Sequence, residues 1–267
     1  MNLRWAILGS GSLANSYFFQ AGEEALVIDN GYPLRTFRKR AIKADLDPAL
    51  VKTVMLTHTH GDHVRGLENL LMETGAVLVH RRGLKVESVI RRWKEPRLMA
   101  VEAQTSYRIG NIDFLPFDLS HDAPTTGYHF KIGGVRFTLM TDTGRTDETM
   151  LRLAARSDIL FLEANYCPVM LESGPYPAVL RHRVSGDTGH LSNHQAAAFL
   201  NDLADLRVSG TGAMNLRQVY LVHLSENNNT PERVAEVLRD ECRWPGPVRV
   251  CHRNEMVLGA SDHEHQY

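Results

Sequence analysis

Apolar residues gather into short runs broken by glycine and polar clusters, and between several runs the spacing changes to the three-and-four rhythm of a helix. Trp5–Leu8 predicts a first strand, and Ser16–Gln20 with Ala25–Asp29 a hairpin around Gly22-Glu23. Leu34–Ile42 predicts a helix ending before Asp47-Pro48. Val54, Met55 and Leu56 form a buried-strand run, and Val64, Leu67, Leu70 and Leu71 predict a helix soon after it. A short strand at Ala76–Val79 and a helix over Gly83–Trp93 follow. Ile112–Leu119 leads to Gly127–Lys131 and Val135–Met140, paired across Gly133-Gly134. Met150–Ala155 is helical in pattern and Ile159–Leu162 is a buried strand. A Gly- and Pro-rich loop spans Asn165 to Gly189, before a helix that begins at Ser192 and carries Ala196–Leu206. Gln218–Val222 is a strand. Thr230 and Pro231 open a helix to about Arg239 as N-cap and first-turn proline. Val248–Cys251 and Met256–Leu258 close the pattern. With no repeat or low-complexity linker, the pattern predicts one domain over 1–260 and a disordered tail over 261–267. Alternating strands and helices predict sheets with helices outside them and a site at strand ends.

Four apolar runs end close to a residue that binds metals: V-M-L-T-H at His58, F-D-L-S-H at His121, F-T-L-M-T-D at Asp142 and V-Y-L-V-H at His223. The first continues as H-T-H-G-D-H. Residues two apart along an extended exit point the same way, so His58 and His60 face one ion together. Gly61 turns the chain, and Asp62 and His63 swing to a second side of the pocket. Imidazole and carboxylate suit zinc, manganese or iron, and this density of ligands suits an ion pair. The plain alternative is a polar loop with incidental histidines. Taken singly, His121, Asp142 and His223 read as turn caps; their joint order after the first motif makes them ligand candidates. His80, His129, His182 and His252 lack that support and read as surface or packing residues, and His263 and His265 as incidental.

Composition narrows the rest. The chain has 267 residues, 43% of them hydrophobic, and a formal net charge of -1, so overall charge gives no reason to bind nucleic acid. No apolar run approaches the roughly 20 residues of a membrane span and no signal-peptide layout opens the chain, so a soluble, cytoplasmic protein without membrane association is expected. Three cysteines, Cys167, Cys242 and Cys251, fit reduced thiols better than a disulfide framework. Positive charge is local: Arg35–Lys43 and Arg81–Arg97, with Arg91 and Arg92 as candidate contacts to a nucleic-acid backbone, or else simply solvated faces. His190 precedes Ser192-Asn193 at a helix start, where free N–H groups favour a phosphate, unless Ser192 only caps the helix. Glu163 either reaches the metal shell or pairs with a neighbouring strand end.

The H-x-H-x-D-H motif, with single His, Asp and His residues at later strand ends, resembles the metallo-β-lactamase fold superfamily. The resemblance implies a four-layered αβ/βα sandwich with a dinuclear site at one rim. It implies His58, His60 and His121 on one ion, Asp62, His63 and His223 on the other, and Asp142 bridging. Aspartate rather than cysteine at position 142 looks like the hydrolase and nuclease branches. Leu8-Gly9-Ser10-Gly11-Ser12, Asn15-Ser16, Ser120-His121-Asp122-Ala123, Leu162-Glu163-Ala164-Asn165, Gly174-Pro175-Tyr176-Pro177, Leu180–Val184 and Gly189-His190-Leu191-Ser192-Asn193 look like the YycJ/WalJ exonuclease family. Ala14 departs from the glycine usual there, and Tyr166-Cys167 from an expected His-Asp pair. The implied activity is a 5′-to-3′ DNA exonuclease using two divalent ions, zinc or manganese with iron possible. In it Asp62, Asp142 and His190 are catalytic, and Ser192, Asn193, Arg91 and Arg92 bind substrate. The alternatives are a small-molecule hydrolase acting on a lactone, thioester or cyclic phosphodiester, and a non-catalytic nucleic-acid-binding metal protein.

Overall fold

A computed structural model describes residues 2–209, 215–253 and 255–260, and the tail expected over 261–267 lies outside them. The described chain forms two compact units, the first from residues 2–116, 130–135 and 255–260, the second from 117–129, 136–209 and 215–253.

The first unit contains β1 (Leu3–Gly9), β2 (Ser16–Ala21), β3 (Glu24–Ile28), α1 (Leu34–Lys43), β4 (Val51–Met55), α2 (Gly61–Val64) and α3 (Leu67–Thr74). It continues with β5 (Val77–Arg81), β6 (Leu98–Val101) and β7 (Tyr107–Ile109). β8 (Ile112–Leu119) and β9 (Thr125–Ile132) each have residues in both units. The second unit holds β10 (Val135–Met140), which starts one residue before it, α4 (Glu148–Ala155), β11 (Ile159–Glu163), α5 (Pro168–Ser173) and α6 (Ala178–Ser185). α7 (Asn193–Ser209), β12 (Gln218–Val222), α8 (Pro231–Glu241) and β13 (Val248–Val250) complete it, and β14 (Val257–Ala260) returns to the first unit. The strands form two seven-stranded sheets, ordered β14-β1-β2-β3-β4-β5-β6 and β13-β12-β11-β10-β9-β8-β7.

The first sheet is antiparallel from β14 to β3 and parallel from β3 to β6. Its core shows why. β3 is E-A-L-V-I with every residue buried, the signature of a strand covered on both faces. On one face Ala6, Phe18, Val27, Val54 and Leu78 pack with Phe37 and Ala41 of α1 and Leu67, Leu70 and Leu71 of α3. Each such large apolar side chain contributes about 1.5–3 kcal/mol on leaving water. α3 stops at Gly75, whose φ of 64° is the left-handed C-terminal conformation that glycine adopts without a Cβ penalty.

The second sheet is parallel from β10 to β13, and its strand ends line up because the registers advance in step: Met140 opposite Leu162, and Leu162 opposite Leu221. Asp147 caps α4 through the Met150 N–H at 2.8 Å, and Thr230 with Pro231 opens α8 as the sequence pattern predicts.

Three expectations need correction. Gly83–Trp93 is not a helix; only Val86–Ser88 forms a 3-10 turn. The Glu68 carboxylate on α3 accepts the backbone N–H groups of both Arg91 and Arg92, which a helix would have used internally. Leu84, Val86 and Ile90 are buried in the core all the same, so the apolar spacing reports burial rather than helix. β6 and β7 go unpredicted because each is defined by a neighbour, β5 and β8. The Asn165–Gly189 loop contains α5 and α6, each with a single buried residue, Leu171 and Val184, too few to show a helical period.

Candidate metal centre

In the first unit, the turn after β4 carries His58, His60, Asp62 and His63. His58 and His63 are fully buried, with ring centroids 4.1 Å apart, and the His60 ring lies 4.5 Å from that of His58. Asp29, directly after β3, organises them. Its carboxylate accepts from the Thr57 N–H at 2.9 Å, the Thr57 hydroxyl at 2.7 Å and His63 Nδ1 at 2.7 Å. Thr57 has one hydroxyl proton, so with that proton given to Asp29 its oxygen accepts from His58 Nδ1 at 3.0 Å. Both imidazoles are thereby assigned the Nδ1–H tautomer, with the lone pair at Nε2. Asn15 Nδ2 donates to Asp62 Oδ2 at 2.9 Å and to His63 Nε2 at 3.0 Å. The turn is clamped by backbone bonds from Asn15 to Asp62 and from Asn30 to His63, both 2.8 Å. Gly31 makes the approach possible, since a Cβ there would sit 1.8 Å from the Asp62 carbonyl oxygen.

In the second unit, β8, β10, β11 and β12 end at His121, Asp142, Glu163 and His223, and His190 precedes α7. One possible ligand atom from each of Asp142, Glu163, His190 and His223 lies within 4.8 Å of the others. Asp142 Oδ1 is 3.6 Å from His223 Nε2 and 3.9 Å from His121 Nε2. His121 Nδ1 donates to the Gly189 carbonyl at 2.9 Å. Glu163 settles between its two readings by pairing: Oε1 accepts from His223 Nδ1 at 2.7 Å and His190 Nδ1 at 2.9 Å, and Oε2 from the Thr143 and Leu191 N–H groups at 3.1 Å each. Burial by itself would raise this carboxyl, but His190 and His223 outweigh it and hold the group down to about 2. Burial likewise pushes His190 down, and Glu163 with Asp142 more than reverses that, leaving it raised.

Asp29, Asp142 and His223 share a backbone feature. Their φ values are 56°, 63° and 60°, the left-handed region that costs a non-glycine residue about 1–2 kcal/mol. Each stands at the end of a strand and re-aims a polar side chain, the kind of strain that clusters at functional sites.

The donors fit divalent metal. Imidazole Nε2 and carboxylate oxygen match borderline ions such as zinc, manganese and iron. Metal-ligating histidines characteristically give their other N–H to a carboxylate or carbonyl, and Asp29, Glu163 and Gly189 supply those acceptors here. Asp29 was missed as a site residue, although A-L-V-I-D ends as the four runs that carry ligand candidates do. Asp122 was also missed: its Oδ1 is 3.3 Å from His121 Nε2 and its other oxygen pairs with Arg183.

The expected substrate contacts are placed differently. Ser192 N–H and hydroxyl both reach Gln195 Oε1, at 2.8 and 2.9 Å, a capping box that opens α7. Asn193 is buried and exchanges two amide bonds with Asn229, at 3.0 and 2.8 Å. Arg92 binds Glu68 and Asn69 of α3 at 2.7 and 2.6 Å, and Arg91 Nε donates to the Ser88 carbonyl at 2.8 Å.

Two mixed sheets with imidazole–carboxylate clusters at their strand ends define a metal-dependent hydrolase of the α/β sandwich class. Residues 26–223 match the family described as "Beta-lactamase superfamily domain", and the chain belongs to that superfamily, with the metallo-β-lactamase fold. It is 28% identical over 237 residues to the exodeoxyribonuclease WalJ of Streptococcus pneumoniae, covering 87% of this chain and 85% of that protein. With the exodeoxyribonuclease YycJ of Bacillus anthracis it shares 27% identity over 256 residues, 90% and 91% of the two chains. Among solved structures it is similar to the metallo-beta-lactamase fold protein YhfI from Bacillus subtilis, with a TM-score of 0.68, 14% identity, and 97% and 100% of the chains covered. The family implies divalent metal ions, and among the described residues no helix is long and apolar enough to cross a membrane.

Proposed function

We propose that the chain is a dinuclear metal-dependent phosphodiesterase that removes nucleotides from DNA ends in the 5′-to-3′ direction. The observation that carries the metal reading is the repeated buttress: a buried strand-end carboxylate, Asp29 or Glu163, accepts Nδ1–H from a ligand histidine, His63 or His223, at 2.7 Å in both cases. DNA as the substrate rests on the exodeoxyribonuclease relatives. By the superfamily's pattern, His58, His60 and His121 would hold one ion, Asp62, His63 and His223 the other, and Asp142 both. Such an ion pair would acidify a water and offset charge on a phosphate. The chain's own part is orientation. Asp62 and Asp142 would accept a hydrogen bond from the attacking water, and His190, held through Nδ1 by Glu163, would present its other nitrogen to a phosphate oxygen. Ser192 and Asn193 would contribute by setting the start of α7 beside His190, since their polar atoms serve Gln195 and Asn229.

The test is a substrate panel with manganese or zinc: linear duplex DNA with and without a 5′-phosphate, covalently closed circles, RNA, bis-p-nitrophenyl phosphate and a lactone. Release of mononucleotides from linear DNA, with circles resistant, is the expected result. Circles cut as fast as linear DNA would point to an endonuclease, and turnover of the lactone alone to a small-molecule hydrolase.

A further inference from the structure

A cavity of about 420 Å³ opens beside α5 and α6 in the second unit. Tyr166, Pro168 and Leu171 supply its apolar lining, and Glu172, Arg181 and Ser185 its polar lining, with His182 alongside. The volume falls in the range of small-ligand sites, which combine apolar walls with a few placed polar groups. The polar set offers both senses of hydrogen bond. Arg181 only donates, Glu172 only accepts, and Ser185, whose hydroxyl donates to the Arg181 carbonyl at 3.0 Å, is left to accept. Arg181 Nη2 lies 3.5 Å from Glu172 Oε1, so donor and acceptor are held side by side, and the arginine is the more sheltered, at 29% exposure against 79%. A donor and an acceptor lining the same cavity as apolar side chains suit the edge of a nucleobase, and half-buried Pro168 with the exposed margins of Tyr166 and Leu171, 5% and 4% exposed, gives the base an apolar contact.

The chain ties this cavity to the metal cluster. Tyr166 stands three residues beyond Glu163, and three residues of chain span at most about 10 Å. Between them Asn165 Nδ2 donates to the His223 carbonyl at 2.8 Å, and Tyr166 itself accepts the Asn193 N–H at 2.9 Å. A substrate phosphate at His190 and His223 would therefore have its neighbouring nucleoside within reach of Tyr166. Leu171, Val184 and Tyr176 pack around Tyr166, so the wall is fixed before anything binds.

From this we infer that the cavity receives the base of the nucleotide adjoining the cleaved phosphodiester, and that Tyr166 with the Glu172–Arg181 pair makes the enzyme prefer polymeric DNA to small phosphodiesters. The inference rests on the DNA reading above. Its test is binding without hydrolysis. The full-length, zinc-loaded protein is titrated with the four 2′-deoxynucleosides and with 2-deoxyribose, followed by NMR. Nucleosides should bind at least tenfold more tightly than the sugar. Ser185→Trp, which fills the cavity from an exposed position, should weaken nucleosides about tenfold and raise KM on linear DNA rather than lower kcat. Should that variant misfold by circular dichroism, Arg181→Glu makes the same test. Nucleosides that bind no better than deoxyribose, or that bind the variant as they bind wild type, overturn the inference. A protein that binds nucleosides yet leaves all DNA intact keeps the cavity and removes the exonuclease reading instead.

Discussion

Asp29 separates metal chemistry from folding more cleanly than any candidate ligand does. Its carboxylate is fully buried and accepts three hydrogen bonds, at 2.9, 2.7 and 2.7 Å. Asp29→Ala would leave the Thr57 N–H and His63 Nδ1–H without their acceptor, at about 1–3 kcal/mol each. It would also place alanine at φ 56°, for about another 1 kcal/mol, so roughly 3–7 kcal/mol in all and a protein close to unfolding. Asp29→Asn is the sharper change. Asparagine tolerates the left-handed conformation, and one amide oxygen still accepts from Thr57 N–H. The amide nitrogen, however, replaces the oxygen that accepted from both the Thr57 hydroxyl and His63, so the Thr57 hydroxyl must turn its proton elsewhere, and His63 must accept at Nδ1 and carry its proton at Nε2, the nitrogen assigned to metal. Loss of such a buttress typically costs about 10–100-fold in metal affinity, equivalent to about 1.4–2.7 kcal/mol. Urea denaturation should show Asp29→Asn within about 2 kcal/mol of wild type, while competition with a chromophoric chelator shows zinc bound at least tenfold more weakly. An Asp29→Asn protein with wild-type zinc affinity would refute the tautomer assignment and, with it, the role of Asp29.

Two further outcomes follow from the second unit. His129 donates or accepts against Thr138 at 2.8 Å, and burial first, then Arg136 and Arg156, lower it from 6.5 to about 4. The unfolded chain therefore binds the extra proton between those values, so the His129 contribution is complete above pH 6.5 and is lost as pH falls towards 4, up to about 3 kcal/mol. His129→Asn should flatten the stability profile over that window, measured by urea unfolding at a series of pH values; an unchanged acid slope would rule the residue out. Asn229 also donates to the Ala164 carbonyl at 2.8 Å, so Asn229→Ala should cost about 2–4 kcal/mol by orphaning Asn193. Because the two amides serve each other, the Asn193→Ala, Asn229→Ala double variant should lose clearly less than the sum of the singles, and strict additivity in denaturant melts would contradict the pairing.

Much of this protein is determined locally and so could be read along the chain. The H-T-H-G-D-H turn declares itself because a buried strand precedes it and helical spacing follows it. The later ligand candidates sit where apolar runs stop, and a run that stops in a sheet ends at its rim. β3, β11 and β12 were legible because burial on both faces demands uninterrupted apolar residues, whereas β4 and β10, broken by Lys52 and Thr53 and by Arg136 and Thr138, show themselves only through the buried apolar residues at their ends.

What the sequence left open depends on partners distant in the chain. Asp29 acts through His63 and Glu163 through His223, pairs 34 and 60 positions apart that only strand register brings within hydrogen-bond distance. Arg91 and Arg92 lie in a basic stretch that suits a helix on one face, yet Glu68 takes their N–H groups and gives the segment another shape. Asn193 looks like a substrate contact until Asn229 meets it. α5 and α6 carry one buried residue each, so periodicity cannot announce them. Sequence determines which chemistry is present because side-chain type is local. Tertiary structure decides which proton each group holds and which residues merely support the site, because hydrogen bonds between distant strand ends set both.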